Sequence, residues 1–331
     1  MRDRLTRRAF IHDVVAITGV ISLPGCAYRA APQRMPRVGF MTGNIPSLVA
    51  AFQDEMRRLG YVHGKTIHLE NRLARSNTND TSVHVAELTS LDLDFIVVAA
   101  LPQALAVRRA DPAMPMVIIT CPGMVSNAFA ATLERPGGIY TGMDELPPGV
   151  TEKRLQLLKE AAPSIVRVAL LSTTPGNGGH ETQLAEARTA SAALGFAVKP
   201  YRARSLPELR TALESIANDD MEGLLNFQGG LSLEHRTLIV GFVEEQRIPA
   251  IYQSEFFVDA GGLMSWAPDI HEQYRMGARY ADRIIRGESP GDIPVQYPGR
   301  YSLTLSAPAA ARIGFRLPPS LTGKADRLLS Q

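Results

Sequence analysis

Short apolar runs alternate with stretches in which apolar residues recur every three or four positions. That alternation is expected of βα units built on parallel sheets. Residues 37–41 predict a strand, and the loop Thr42-Gly43-Asn44-Ile45-Pro46 leads into a helix carrying Leu48, Val49, Phe52, Met56 and Leu59 on one face, with Gly60 at its C-terminal cap. Further strands are predicted at 66–73, 95–99 and 116–120, and helices over 81–91 and 102–110. After the turn Pro136-Gly137-Gly138 comes another strand, 139–143. A second series follows, with strands at 166–172, 196–201, 223–227 and 250–252 and helices at 151–162, 181–194, 206–218 and 233–246. The two series share an architecture without a residue-level repeat. The fold class read from them is α/β, two doubly wound parallel-sheet lobes, and 331 residues suit two cores better than one. Such sheets open a crevice at the carboxyl ends of their strands, and two facing crevices make a cleft for a small ligand.

The N-terminus departs from this pattern. Arg2, Arg4, Arg7 and Arg8 precede an apolar run from Val14 to Leu23 that is shorter than the roughly 20 residues of a spanning helix. Residues 1–26 therefore read as a twin-arginine-like export signal, and 27–35 as a linker. The tetrad Leu23-Pro24-Gly25-Cys26 resembles a lipobox, which makes Cys26 a candidate for lipidation; ordinary cleavage near Ala30-Ala31 is the alternative. With Cys26 acylated, Cys121 is left without a disulfide partner. Composition, at 45% hydrophobic and 21% charged residues, is that of a globular protein. A formal charge of only +2, all of it within the signal, gives no basic surface for nucleic acid.

Enzyme chemistry finds little support. Pro175-Gly176-Asn177-Gly178-Gly179 lacks the Lys and Ser or Thr of a phosphate-gripping loop and reads as a loop at the cleft edge. His180 beside Glu181 belongs to no metal-binding array, and no cofactor is expected. Cys121 ends a strand but has neither a base nor a cation in its local sequence, so it reads as a structural or ligand-lining thiol. Asp92 and Asp94 read as solvated charge, and Phe256 and Phe257 as core.

Several stretches resemble one family, the substrate-binding proteins of ABC transporters whose characterised relatives bind aromatic amino acids. They include Leu59-Gly-Tyr-Val-His-Gly64, Leu133-Glu-Arg-Pro-Gly-Gly138, Ala260-Gly-Gly-Leu-Met-Ser-Trp266 and Ile313-Gly-Phe-Arg-Leu-Pro-Pro-Ser-Leu321. Their order and spacing carry the resemblance from about Pro36 to Leu329. It implies a type I periplasmic-binding fold. Lobe 1 would comprise 36–143 plus about 267–292, and lobe 2 would comprise 144–253 plus about 302–331. Crossings would lie near 142–146, 254–266 and 293–302, and the lobes would close on a bound ligand. Strand-end positions expected to face the ligand are Gly43, Asn44, Leu101, Gln103, Cys121 and Pro122 in the first lobe. In the second they are Thr173, Thr174, Asn177, Gln228, Tyr252 and Glu255. The helix starting at Pro102 would offer amides to a carboxylate, Glu255 would hold an ammonium group, and Tyr252 or Trp266 would stack on a ring. The function implied is that of an exported solute-binding protein, periplasmic or in the cell envelope. Its partners would be a small-molecule ligand, a permease, an ATPase and, through a lipid anchor, the membrane, with no catalysis and no nucleic acid. The alternatives are a membrane-anchored sensor or orphan receptor and, behind it, an exported enzyme using Cys121 or Glu255.

Overall fold

In the computed structural model, residues 34–74, 78–174, 176–227 and 229–330 are described. Residues 1–26, expected to be an export signal ending at Cys26, and Gln228 lie outside them. The first lobe is built from β1 (Arg37–Thr42), α1 (Pro46–Arg58), β2 (His68–Leu73), α2 (Thr78–Thr89), β3 (Phe95–Ala100), α3 (Leu101–Ala110), β4 (Met116–Cys121) and β5 (Tyr140–Asp144). The second contains α4 (Val150–Ala161), β6 (Arg167–Ser172), α5 (Gly178–Leu194), β7 (Ala197–Arg202), α6 (Leu206–Asn218), β8 (Gly223–Asn226), α7 (Gly230–Glu234), α8 (Arg236–Gln246), β9 (Ala250–Tyr252), α9 (Glu255–Asp259) and β10 (Met264–Pro268). Next, α10 (Ile270–Ile285) returns to the first sheet. The second sheet then receives β11 (Tyr301–Ser306), α11 (Ala307–Arg312), α12 (Pro319–Thr322) and β12 (Arg327–Leu329).

The first sheet is parallel, in the order β2-β1-β3-β4-β5. The second runs β12-β11-β10-β9-β8-β6-β7, parallel except where β11 lies antiparallel to β10. Central strands are continuous apolar runs because helices cover both faces: all of Met116–Cys121 is buried, as is β6 after its first residue. The edge strands β2 and β7 are polar instead, with His68, Glu70 and Arg72 in β2 and Lys199-Pro200 in β7, whereas the edge strand β5 is buried after its first residue.

On the first sheet α1 and α10 lie side by side. Phe40 stacks on Phe52 at 4.1 Å, and the buried Glu55 carboxylate accepts from Arg58 and Arg279, each at 2.8 Å. Gly277 lets α10 settle on β4, since a Cβ there would stand 2.7 Å from the Ile119 side chain.

Two expectations change. The helix foreseen over 233–246 is two, because His235 (φ −102°, ψ 27°) breaks it between α7 and α8. The stretch 254–266 is no passage between lobes: β10 pairs with β9 and β11, so the chain leaves the second sheet only after Pro268. The other passages follow Asp144 and span 297–300, for Met143 still bridges Gln296 on the first sheet.

Candidate functional site

Strand order decides where a ligand can sit. It reverses around β1 and β3 in one sheet and around β6 and β8 in the other, and each reversal leaves a crevice beyond the carboxyl ends. Both crevices open into one cavity of ≈ 320 Å³, within the range typical of small-molecule sites.

Among the sequence-predicted positions, Gly43, Asn44, Leu101, Gln103, Pro122 and Thr174 line this cavity. Cys121 does not; it is fully buried in the core under α3, where burial, with Asp144 and Glu145 nearby, pushes its thiol well up. Thr173 is buried against Gly229, leaving no room for a Cβ there. Asn177 caps α5, accepting from the His180 amide at 2.8 Å. Tyr252 turns into the second core and stacks on Phe257 at 4.6 Å. Glu255 faces a separate recess, beside Arg327 at 3.6 Å. Trp266 packs on Tyr301 at 4.7 Å, and its carbonyl accepts from Arg154 at 3.0 Å.

The ammonium and stacking roles foreseen for Glu255, Tyr252 and Trp266 therefore have no place in this cavity. Residues that sequence reasoning passed over take up the lining: Glu145, Asn226, Gln253, Phe257, Gln273 and Tyr274. Asn226 and Gln253 stand at strand ends, a signal that was available. Gln273 and Tyr274 lie on α10, which only the tertiary fold brings to the cleft.

Most of the polar lining is held in place by the protein itself. Gln103 accepts from the amides of Ala99 (3.1 Å) and Ala100 (3.2 Å), which fixes the start of α3. Tyr274 and Thr42 share a hydrogen bond of 2.7 Å, and burial raises the tyrosine pKa to about 12. Gln253 donates to Gln183 at 2.8 Å. Glu145 is 4% exposed. Together with Tyr301 and Glu186 it partly offsets the burial that lowers the Arg154 pKa to about 10. Asn226 and Gln273 differ, because neither end of either amide has a hydrogen-bond partner.

The lobes touch beside the cavity. Asn127, in the loop after β4, accepts from the Gly178 amide at 3.0 Å, and a Cβ on Gly179 would overlap the Pro122 carbonyl. Asp144 shapes that loop by accepting from Gly123 (3.0 Å), Met124 (2.8 Å) and Leu146 (2.9 Å). Gly178 and Gly179 thus allow the two lobes to meet backbone to backbone. His180 is buried edge-on to Phe227 at 6.0 Å. Among the described residues no group of three His, Cys, Asp or Glu could hold a metal, and no helix is long and apolar enough to cross a membrane.

Residues 45–328 match the sequence model of the family described as ABC transporter substrate binding protein. The tyrosine-binding protein of Clostridioides difficile (strain R20291) is 22% identical over 253 residues, 76% of this chain and 72% of that protein. A conserved domain protein from Vibrio cholerae O1 biovar eltor superposes with a TM-score of 0.82 at 21% identity. An ABC domain in complex with L-Trp from Streptococcus pneumonia does so with 0.81 at 18%. Each of the two covers 89% of this chain and 100% of its own, and at these identities the likeness speaks for the fold.

Proposed function

This chain belongs to the ABC transporter substrate-binding protein family, and from that premise we propose that its inter-lobe cavity takes an amino-acid-type solute. One observation carries the ligand class: the buried carboxylate Glu145 and the start of the ten-residue helix α3 line the same cavity. A carboxylate suits an ammonium group, and the positive end of a helix dipole suits a carboxylate. Arg236 and Glu234 at the rim add one charge of each sign. The tyrosine and L-Trp named for the two relatives agree with a zwitterionic ligand.

The protein works outside the cytoplasm, delivers its solute to a permease driven by an ATPase, and catalyses no reaction. Residues 1–26 support export, and Cys26 supports a lipid anchor. Recovery of the protein wholly in the soluble cell fraction would exclude the anchor.

The ligand class is tested by thermal shift and calorimetry on the purified protein against amino acids, purines, small carboxylates and sugars. An amino acid should raise Tm by an amount that grows with its concentration over Kd. Its decarboxylated amine and its deaminated acid should each bind far more weakly. Equal binding of either one sinks the zwitterion reading.

A further inference from the structure

Four buried primary amides of the cleft can be compared directly. Gln103 and Gln253 are tied into the protein, one by backbone amides and the other by Gln183. Asn226, 1% exposed at the end of β8, and Gln273, 2% exposed in the second turn of α10, line the same cavity with the nitrogen and oxygen of both amides unpartnered. They come from opposite lobes. An amide buried with nothing to bond costs about 1–3 kcal/mol, and where such a group lines a cavity an occupant that satisfies it is a ready explanation. Each amide is uncharged and offers an acceptor beside two donors. The group that satisfies it best also carries an acceptor beside a donor, as in the paired bonds of Asn or Gln with the adenine edge. A hydrocarbon side chain lodged there would leave all four atoms unmet.

We infer, resting on the amino-acid reading above, that Asn226 and Gln273 form a side-chain subsite for a neutral group bearing both donor and acceptor, such as a carboxamide or ureido group. The preferred ligand is then an amino acid of the glutamine or citrulline kind, and the two amides close on its side chain from both lobes.

Calorimetry of the wild-type protein with glutamine, citrulline, leucine and phenylalanine tests this without any variant. Glutamine or citrulline should bind about a hundredfold more tightly than leucine, because a site built to hydrogen-bond its ligand rejects the analogue lacking those groups. Asn226→Leu and Gln273→Met should each shrink that ratio toward one, while the ligand-free Tm holds or rises as unmet amides are removed. Leucine or phenylalanine binding as tightly as glutamine would overturn the subsite and leave the amino-acid reading standing. A loss in the variants shared equally by leucine and glutamine would assign the amides to the common α-amino-acid end, and would also overturn it. Binding of no amino acid at all removes both the reading and the subsite.

Discussion

The cleft cavity and the charged recess beside it share Pro268 in their linings, yet they differ in what remains unmet. The recess holds more formal charge. Its charges are already matched. Arg275 pairs with Glu272 (2.6 Å) and Asp269 (3.4 Å), Arg300 pairs with Asp326, and Arg327 pairs with Asp259 (2.9 Å) and Glu255 (3.6 Å). The Ser265 hydroxyl is buried there without a partner, but it is a single rotatable group. In the cleft, two whole amides are unmet and come from two lobes. Unmet polarity lining a cavity, rather than charge, marks where a ligand is needed.

That contrast can be broken at three points. The largest effect is expected from Gly179→Ala, which drives a Cβ into the Pro122 carbonyl where the lobes meet. Overpacking of this kind costs about 1–3 kcal/mol. If the cleft binds only with the lobes together, affinity falls roughly 5- to 150-fold, while Gly299→Ala, in open space, changes nothing. Calorimetry alongside small-angle scattering reads both, and unchanged affinity in Gly179→Ala would detach the cleft from lobe contact.

A smaller effect is expected from Cys121→Ala. Removing the buried sulfur costs about 1 kcal/mol of stability, read by denaturant unfolding, and leaves ligand affinity alone because the thiol does not line the cavity. A large loss of affinity would return Cys121 to the site. The smallest belongs to Arg327→Ala. Its pairs are half exposed, so stability should shift by less than about 1 kcal/mol and less still at high salt. Affinity should not move; a drop in it would make the recess part of the binding surface.

Neighbouring residues show why the fold was more legible than the site. Cys121 and Pro122, Thr173 and Thr174, and Tyr252 and Gln253 each stand at a strand end, and in each pair the second residue lines the cavity while the first is buried outside it. Side chains alternate along a strand, so a one-residue error in where a strand stops reverses which side chain faces the cleft. Glu255, two residues beyond Gln253, was misassigned for a related reason. It opens the short helix α9, whose direction is set by the packing of Phe257 and Val258. Gly43, Asn44, Leu101 and Gln103 were accessible because the loops at a strand-order reversal face the crevice whatever their sequence.

The sequence by itself determined the alternation of strands and helices, the two-lobe α/β architecture and the carboxyl-end level of each sheet. Those follow from local periodicity, which a chain carries wherever it is placed. Only the tertiary structure decided that α10, more than 100 residues beyond β5 in the chain, returns to the first sheet and sets Gln273 and Tyr274 against the cleft. It likewise decided that β10 stays with the second sheet, and that Asn226 and Gln273 are each buried in the lining of one cavity without partners. Whether a polar side chain is satisfied depends on what the other lobe brings to it. No stretch of local sequence contains that information.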